Sequence, residues 1–174
     1  NFDAIHRVPN MSASDRRELL ALESWTRAAY RNCEALFEQR RQTGCVRECH
    51  GDLHSGNVVW WNGQLTPFDG IEFSPRFRWI DVISDLAFLA MDLDLHKHTD
   101  LSNCLVSSYL EQTGDYQSVS LLDWYRVYRA LVRAKVAGIV MGQHEESSAL
   151  FRNASREQSQ LFATAARYTH SGSP

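Results

Sequence analysis

The chain has 174 residues, about one domain's worth, and its 44% apolar content supports a packed core rather than a disordered tail. A net charge of −3 gives no attraction to nucleic acid or anionic membrane, and no apolar run approaches the length that spans a bilayer. Cys33, Cys45, Cys49 and Cys104 lack Cys-x-x-Cys spacing, which points to reduced, partly buried thiols in a cytoplasmic protein.

The N-terminus has neither an initiator Met nor a basic-then-apolar leader. A longer parent is therefore expected, with residues 1–11 and 169–174 poorly ordered. Residues 12–43 read as a helix, with Ser12 or Ser14 as N-cap and Asp15 and Glu18 in the first turn. Leu19, Leu22, Trp25, Ala29, Cys33, Leu36 and Phe37 recur at helical spacing as a core face, and Gly44 ends the run. Two strand-like runs follow, Val58–Trp61 and Gln64–Phe68, joined by Asn62-Gly63. That dipeptide predicts a hairpin, because a type I′ turn needs positive φ at both positions.

After a loop at Ser74-Pro75 the remainder reads as helices over 80–95, 101–112, 121–143 and 146–168. Asp81 and Asp85 lie one turn apart in the first of these, where an acid in so apolar a segment needs loop amides or Arg side chains as partners. In the third, Leu121, Trp124, Tyr128, Leu131, Val132, Val136 and Ile139 form the expected buried stripe, while Arg126, Arg129 and Arg133 suggest a solvated face. The expected fold is mainly α with one small β-hairpin.

The chemistry concentrates in His50-Gly51-Asp52-Leu53-His54-Ser55-Gly56-Asn57, with Phe68-Asp69-Gly70 after the hairpin. Transfer of phosphate from ATP needs a carboxylate at the acceptor hydroxyl, plus an amide oxygen and a carboxylate for magnesium. Asp52 suits the first role, Asn57 and Asp69 the second, and the hairpin would fold Asp69 back toward Asn57. His50 is expected to brace the loop, Asp85 to support it, and His54 to line the acceptor or phosphate side. Two other readings are open. Asp52 and Asn57 could simply satisfy turn amides. His50, Asp52 and His54 could alternate as metal ligands of a hydrolase, although a further well-placed ligand is not evident.

His50-Gly51-Asp52-Leu53-His54-Ser55-Gly56-Asn57, then Phe68-Asp69, then Asp81 and Asp85-Leu86-Ala87, resemble the aminoglycoside phosphotransferase and choline kinase-like family, over roughly residues 20–140. Arg47–His54, Pro67–Phe73 and Arg78–Val82 look closer still to a bacterial subgroup, often fused to a P-loop ATP-binding domain. The resemblance implies the C-terminal lobe of a protein-kinase-like fold and a magnesium- and ATP-dependent phosphotransferase acting on a small-molecule hydroxyl. It also implies Asp52 as base, Asn57 and Asp69 on the metal, and Asp85 as loop support. A Gly-rich phosphate loop, a strand Lys with its partner Glu, and a Gly-x-x-x-x-Gly-Lys-Ser/Thr motif do not occur. The N-terminal lobe and any P-loop domain are accordingly expected elsewhere in the parent, and the isolated lobe is expected to bind Mg-ATP weakly without turnover. The alternative from a different class is a non-catalytic kinase-like module used for binding or regulation.

Overall fold

The structure, a computed structural model, describes residues 1–170, so the tail expected to fray over 171–174 lies outside it. It is mainly helical, with two small antiparallel strand pairs. Where one domain was expected, the described residues form two compact units, residues 31–126 and residues 1–30 with 127–170.

In the unit made from both chain ends, a short helix α1 (Phe2–His6) precedes α2 (Ala13–Gln42). Residues 1–11 thus carry structure where a poorly ordered lead-in was expected, and Ile5, Val8 and Met11 are buried. Ser12 caps α2: its hydroxyl accepts from Asp15 N at 3.0 Å and donates to the Asp15 carboxylate at 2.8 Å. Leu19 and Leu22 of α2 are fully buried, as the helical spacing predicts. From Val127 the unit takes the rest of α6 (Val119–Gln143), and then α7 (Ala149–His170). Thr169 and His170, expected to be poorly ordered, end α7.

The buried face of α6 differs from expectation. Ala130, Leu131, Ala134, Ala137 and Met141 face inward, whereas Val136 and Ile139 are half exposed. Small residues there allow close approach: a Cβ on Gly138 would lie 2.3 Å from Val8 Cγ2. Gln158 Nε2 donates to Ala134 O at 2.9 Å, which ties α7 to α6 through a buried amide. Arg129 is buried, and the Arg126 side chain is only 12% exposed beside Asp123, so the expected solvated arginine face is largely covered.

The other unit holds the motif. Strand β1 (Val46–Glu48) pairs antiparallel with β4 (Trp79–Asp81) in the register Val46↔Asp81, Arg47↔Ile80, Glu48↔Trp79. This pair was not expected. Cys49 N→Arg78 O (2.8 Å) and Val82 N→Cys45 O (3.0 Å) extend it at both ends. Strands β2 (Val58–Trp61) and β3 (Gln64–Pro67) form the predicted hairpin, closed at Trp61↔Gln64. Asn62 (φ 48°) and Gly63 (φ 80°) both take positive φ, as a type I′ turn requires.

A single-turn helix α3 (Pro75–Arg78) leads into β4, and then α4 (Val82–Leu95) and α5 (Thr99–Thr113) pack together. Ile83, Leu86, Ala87 and Leu122 form the core here, flanked by Leu105, Val106, Tyr109 and Tyr125. Asp81 is the N-cap of α4 rather than a residue within it, and accepts from Ile83 N at 3.1 Å. Its other partner is Arg40, whose buried guanidinium reaches Asp81 at 2.7 and 2.8 Å and Asp115 at the same distances. Burial of that cation is tolerable only because two carboxylates share it.

Candidate functional site

The loop from Cys49 to Asn57 runs from the end of β1 into a short 3-10 turn (Ser55–Asn57) and then into β2. It lies along α4, which holds it at successive turns. Gly51 N donates to both carboxylate oxygens of Asp85, at 3.2 and 3.0 Å, so Asp85 does contact the loop backbone that it was expected to support. The His54 ring rests against Phe88, with centroids 5.7 Å apart. Ser55 donates its N–H (2.9 Å) and its hydroxyl (2.5 Å) to Asp92 Oδ2. Gly51 is buried at φ +85°, and a Cβ there would meet Phe77 O at 2.9 Å, so this close turn requires glycine.

His50 braces the loop through both ring nitrogens. Its Nε2 donates to Phe68 O at 2.8 Å, and its Nδ1 accepts from Asp52 N at 3.3 Å. A carbonyl can only accept and an amide can only donate, so these contacts select one neutral tautomer. His54 repeats the pattern: Nδ1 accepts from Gly56 N at 3.1 Å, leaving Nε2 to face Asp52 Oδ2 at 3.5 Å.

Asp52 and Asn57 are joined directly. Asn57 Nδ2 donates to Asp52 O (3.0 Å) and approaches Asp52 Oδ2 (3.3 Å). Asn57 is buried and the Asp52 side chain is 45% exposed. With its NH2 group so committed, the amide of Asn57 has its orientation fixed, and its Oδ1 carries no hydrogen bond.

The segment after the hairpin is pinned to the same loop. Phe68 N donates to Asn57 O (3.0 Å) and Ile71 N to His50 O (2.9 Å), while His50 Nε2 takes Phe68 O. Asp69 sits between these bonds at φ 59°, a left-handed conformation that Asp tolerates better than most residues. Its side chain is exposed and accepts no hydrogen bond. Asp52 and Asn57 are therefore hydrogen-bonded to each other, and the backbone on either side of Asp69 is bonded to the same loop, with two oxygen donors left uncommitted on Asn57 and Asp69. Both are hard ligands of the kind that magnesium prefers.

Among the described residues, no group of three or more His, Cys, Asp or Glu is arranged to hold a metal ion. His50, Asp52 and His54 thus do not form the hydrolase ligand set weighed above, since their polar atoms face one another and the loop backbone. No helix of the described chain is long and apolar enough to cross a membrane. The cysteines are free thiols.

Asp92 was not singled out by sequence reasoning, because it lies in an apolar run with no motif around it. The only available signal was its spacing of seven residues from Asp85, which places both on one helical face.

No family model matches the chain, and no solved structure does. Over 116 residues it is 37% identical to uncharacterized proteins of Mycobacterium tuberculosis and Mycobacterium bovis. That stretch is 67% of this chain and 23% of each relative, so the chain is similar to one part of considerably longer proteins.

Proposed function

We propose that this chain is a lobe of a protein-kinase-like phosphotransferase that phosphorylates a hydroxyl of a small molecule. The observation that carries the reading is the joined Asp52–Asn57 pair, with the Phe68–Asp69 segment hydrogen-bonded onto the same loop. A turn that merely satisfied its own amides would not need an amide and a carboxylate left with uncommitted oxygens on two segments hydrogen-bonded together. Phosphoryl transfer needs positioned charge more than covalent participation.

Asn57 Oδ1 and the Asp69 carboxylate would hold magnesium with the phosphates of ATP, and the bound ion would offset charge on the transferring group. Asp52 would orient the acceptor hydroxyl and take its proton as the oxygen attacks the γ-phosphorus and the bond to ADP breaks. Asn57 Nδ2 holds Asp52 Oδ2 in place, and His54 Nε2 stands on its other side. His50 keeps the Phe68 carbonyl, and with it the start of the Asp69 segment, on the loop.

The test is magnesium-dependent ATP binding by calorimetry, with Asn57→Ala and Asp69→Asn. Each variant is expected to lose at least about tenfold in affinity, the lower end for disturbing the surroundings of a metal site. In the natural full-length protein, Asp52→Asn should retain nucleotide binding and abolish turnover. Unchanged affinity in Asp69→Asn, or unchanged turnover in Asp52→Asn, would refute the assignment.

A further inference from the structure

Resting on the phosphotransferase reading, we infer that Asp92, acting through Ser55, is a positioning residue that sets the geometry between Asp52 and Asn57. Asp85 and Asp92 are two turns apart on α4, a separation of roughly 10 Å along the axis at 1.5 Å per residue. The loop residues they hold, Gly51 and Ser55, are four apart and could span at most about 14 Å. The segment between them, with Asp52 inside it and a tight turn closed by His54 N→Asp52 O at 3.1 Å, is therefore anchored at both ends on one helix. Ser55 is also the first residue of the 3-10 turn that ends at Asn57, so anchoring it fixes where that turn begins. From there Asn57 reaches back to Asp52.

The Asp92 side chain is 1% exposed, and a carboxylate so buried must be satisfied by donors. Ser55 supplies two, and His96 Nε2 lies 3.8 Å from the other oxygen. Both Ser55 donors address one oxygen, so the bond set specifies the hydroxyl rotamer as well as the backbone position. That is more than a generic helix-to-loop contact requires.

The experiment uses the 174-residue chain with 15N labelling. Two quantities are read: the side-chain amide resonances of Asn57, and the affinity for ATP with magnesium. Far-UV circular dichroism reports whether each variant folds. Ser55→Ala and Asp92→Asn should fold, shift the Asn57 side-chain amide, and weaken Mg-ATP binding roughly tenfold. Ser55→Thr, which keeps the hydroxyl, should restore both. If Asp92→Asn does not fold, Ser55→Ala and its rescue decide the matter. An unmoved Asn57 amide with unchanged affinity in Ser55→Ala, while Asp69→Asn loses binding, overturns the positioning role and leaves the functional reading standing. If Asp69→Asn also keeps its affinity, the functional reading falls, and the Asn57 resonance alone decides whether Ser55 and Asp92 set the loop.

Discussion

Replacing Arg40 by Met is expected to destabilise the unit of residues 31–126 by about 3–5 kcal/mol, the range for removing one partner from a buried ion pair. Arg40 is 1% exposed and makes four N–H···O bonds to two carboxylates. The losses differ by partner. The Asp81 side chain, 3% exposed, would keep only its capping bond to Ile83 N and would be left as a buried anion. That of Asp115, 20% exposed, would retain Tyr109 and gain water. Most of the cost should therefore come from Asp81. Adding Asp81→Asn removes that charge while preserving an acceptor for Ile83 N, so the double variant should recover about 1–3 kcal/mol relative to Arg40→Met. Because the chain has two compact units, the measurement is hydrogen exchange at α4 amides, which reports this unit specifically. A cost below about 1 kcal/mol, or a double variant no more stable than the single one, would contradict the buried-anion reasoning.

The same network has a pH signature. The Arg40 guanidinium holds the Asp115 carboxyl below its ordinary value, so this contribution to stability is present above pH 3.8 and lost as acid protonates the folded state. Burial, with the Asp115 charge second, pushes the Tyr109 phenol up to about 12. Its contribution is complete below pH 10 and disappears as pH rises through 12, so an ultraviolet titration should show a late-titrating component that is lost in Tyr109→Phe and moves earlier in Asp115→Asn. Gly51→Ala and Gly63→Ala compare two positive-φ glycines, one with Phe77 O at 2.9 Å from the added Cβ and one with nothing within 4 Å. Thermal melts should show a loss of about 1 kcal/mol for Gly63→Ala and at least about 1 kcal/mol more for Gly51→Ala; equal losses would mean that the close approach is unimportant.

Local chemistry made parts of this structure readable in advance. Asn62-Gly63 named its own turn, and Ser12 and Gly44 marked the ends of α2, because each answers to backbone sterics within a few residues. The loop acids and amide were legible for a similar reason, since their spacing is set by the turn that joins them. The β1–β4 pair was not, as Val46-Arg47-Glu48 has no strand periodicity and forms through a partner more than thirty residues away. Periodicity in α6 groups residues onto faces but does not say which face is covered, so it points Val136 and Ile139 inward and gives no weight to the small, buried Ala134 and Ala137. Asp92 stayed hidden because its role depends on where Ser55 comes to lie.

The anchoring of the loop along α4 constrains how this stretch of chain can vary in length. A single side-chain substitution on α4 leaves that spacing unchanged. A one-residue insertion between Asp85 and Asp92 would instead turn everything beyond it by about 100° and carry Asp92 away from Ser55. A matching insertion in the loop could not compensate, since it adds reach without restoring direction. Related chains that keep this site should therefore align without gaps from Gly51 to Ser55 and from Asp85 to Asp92.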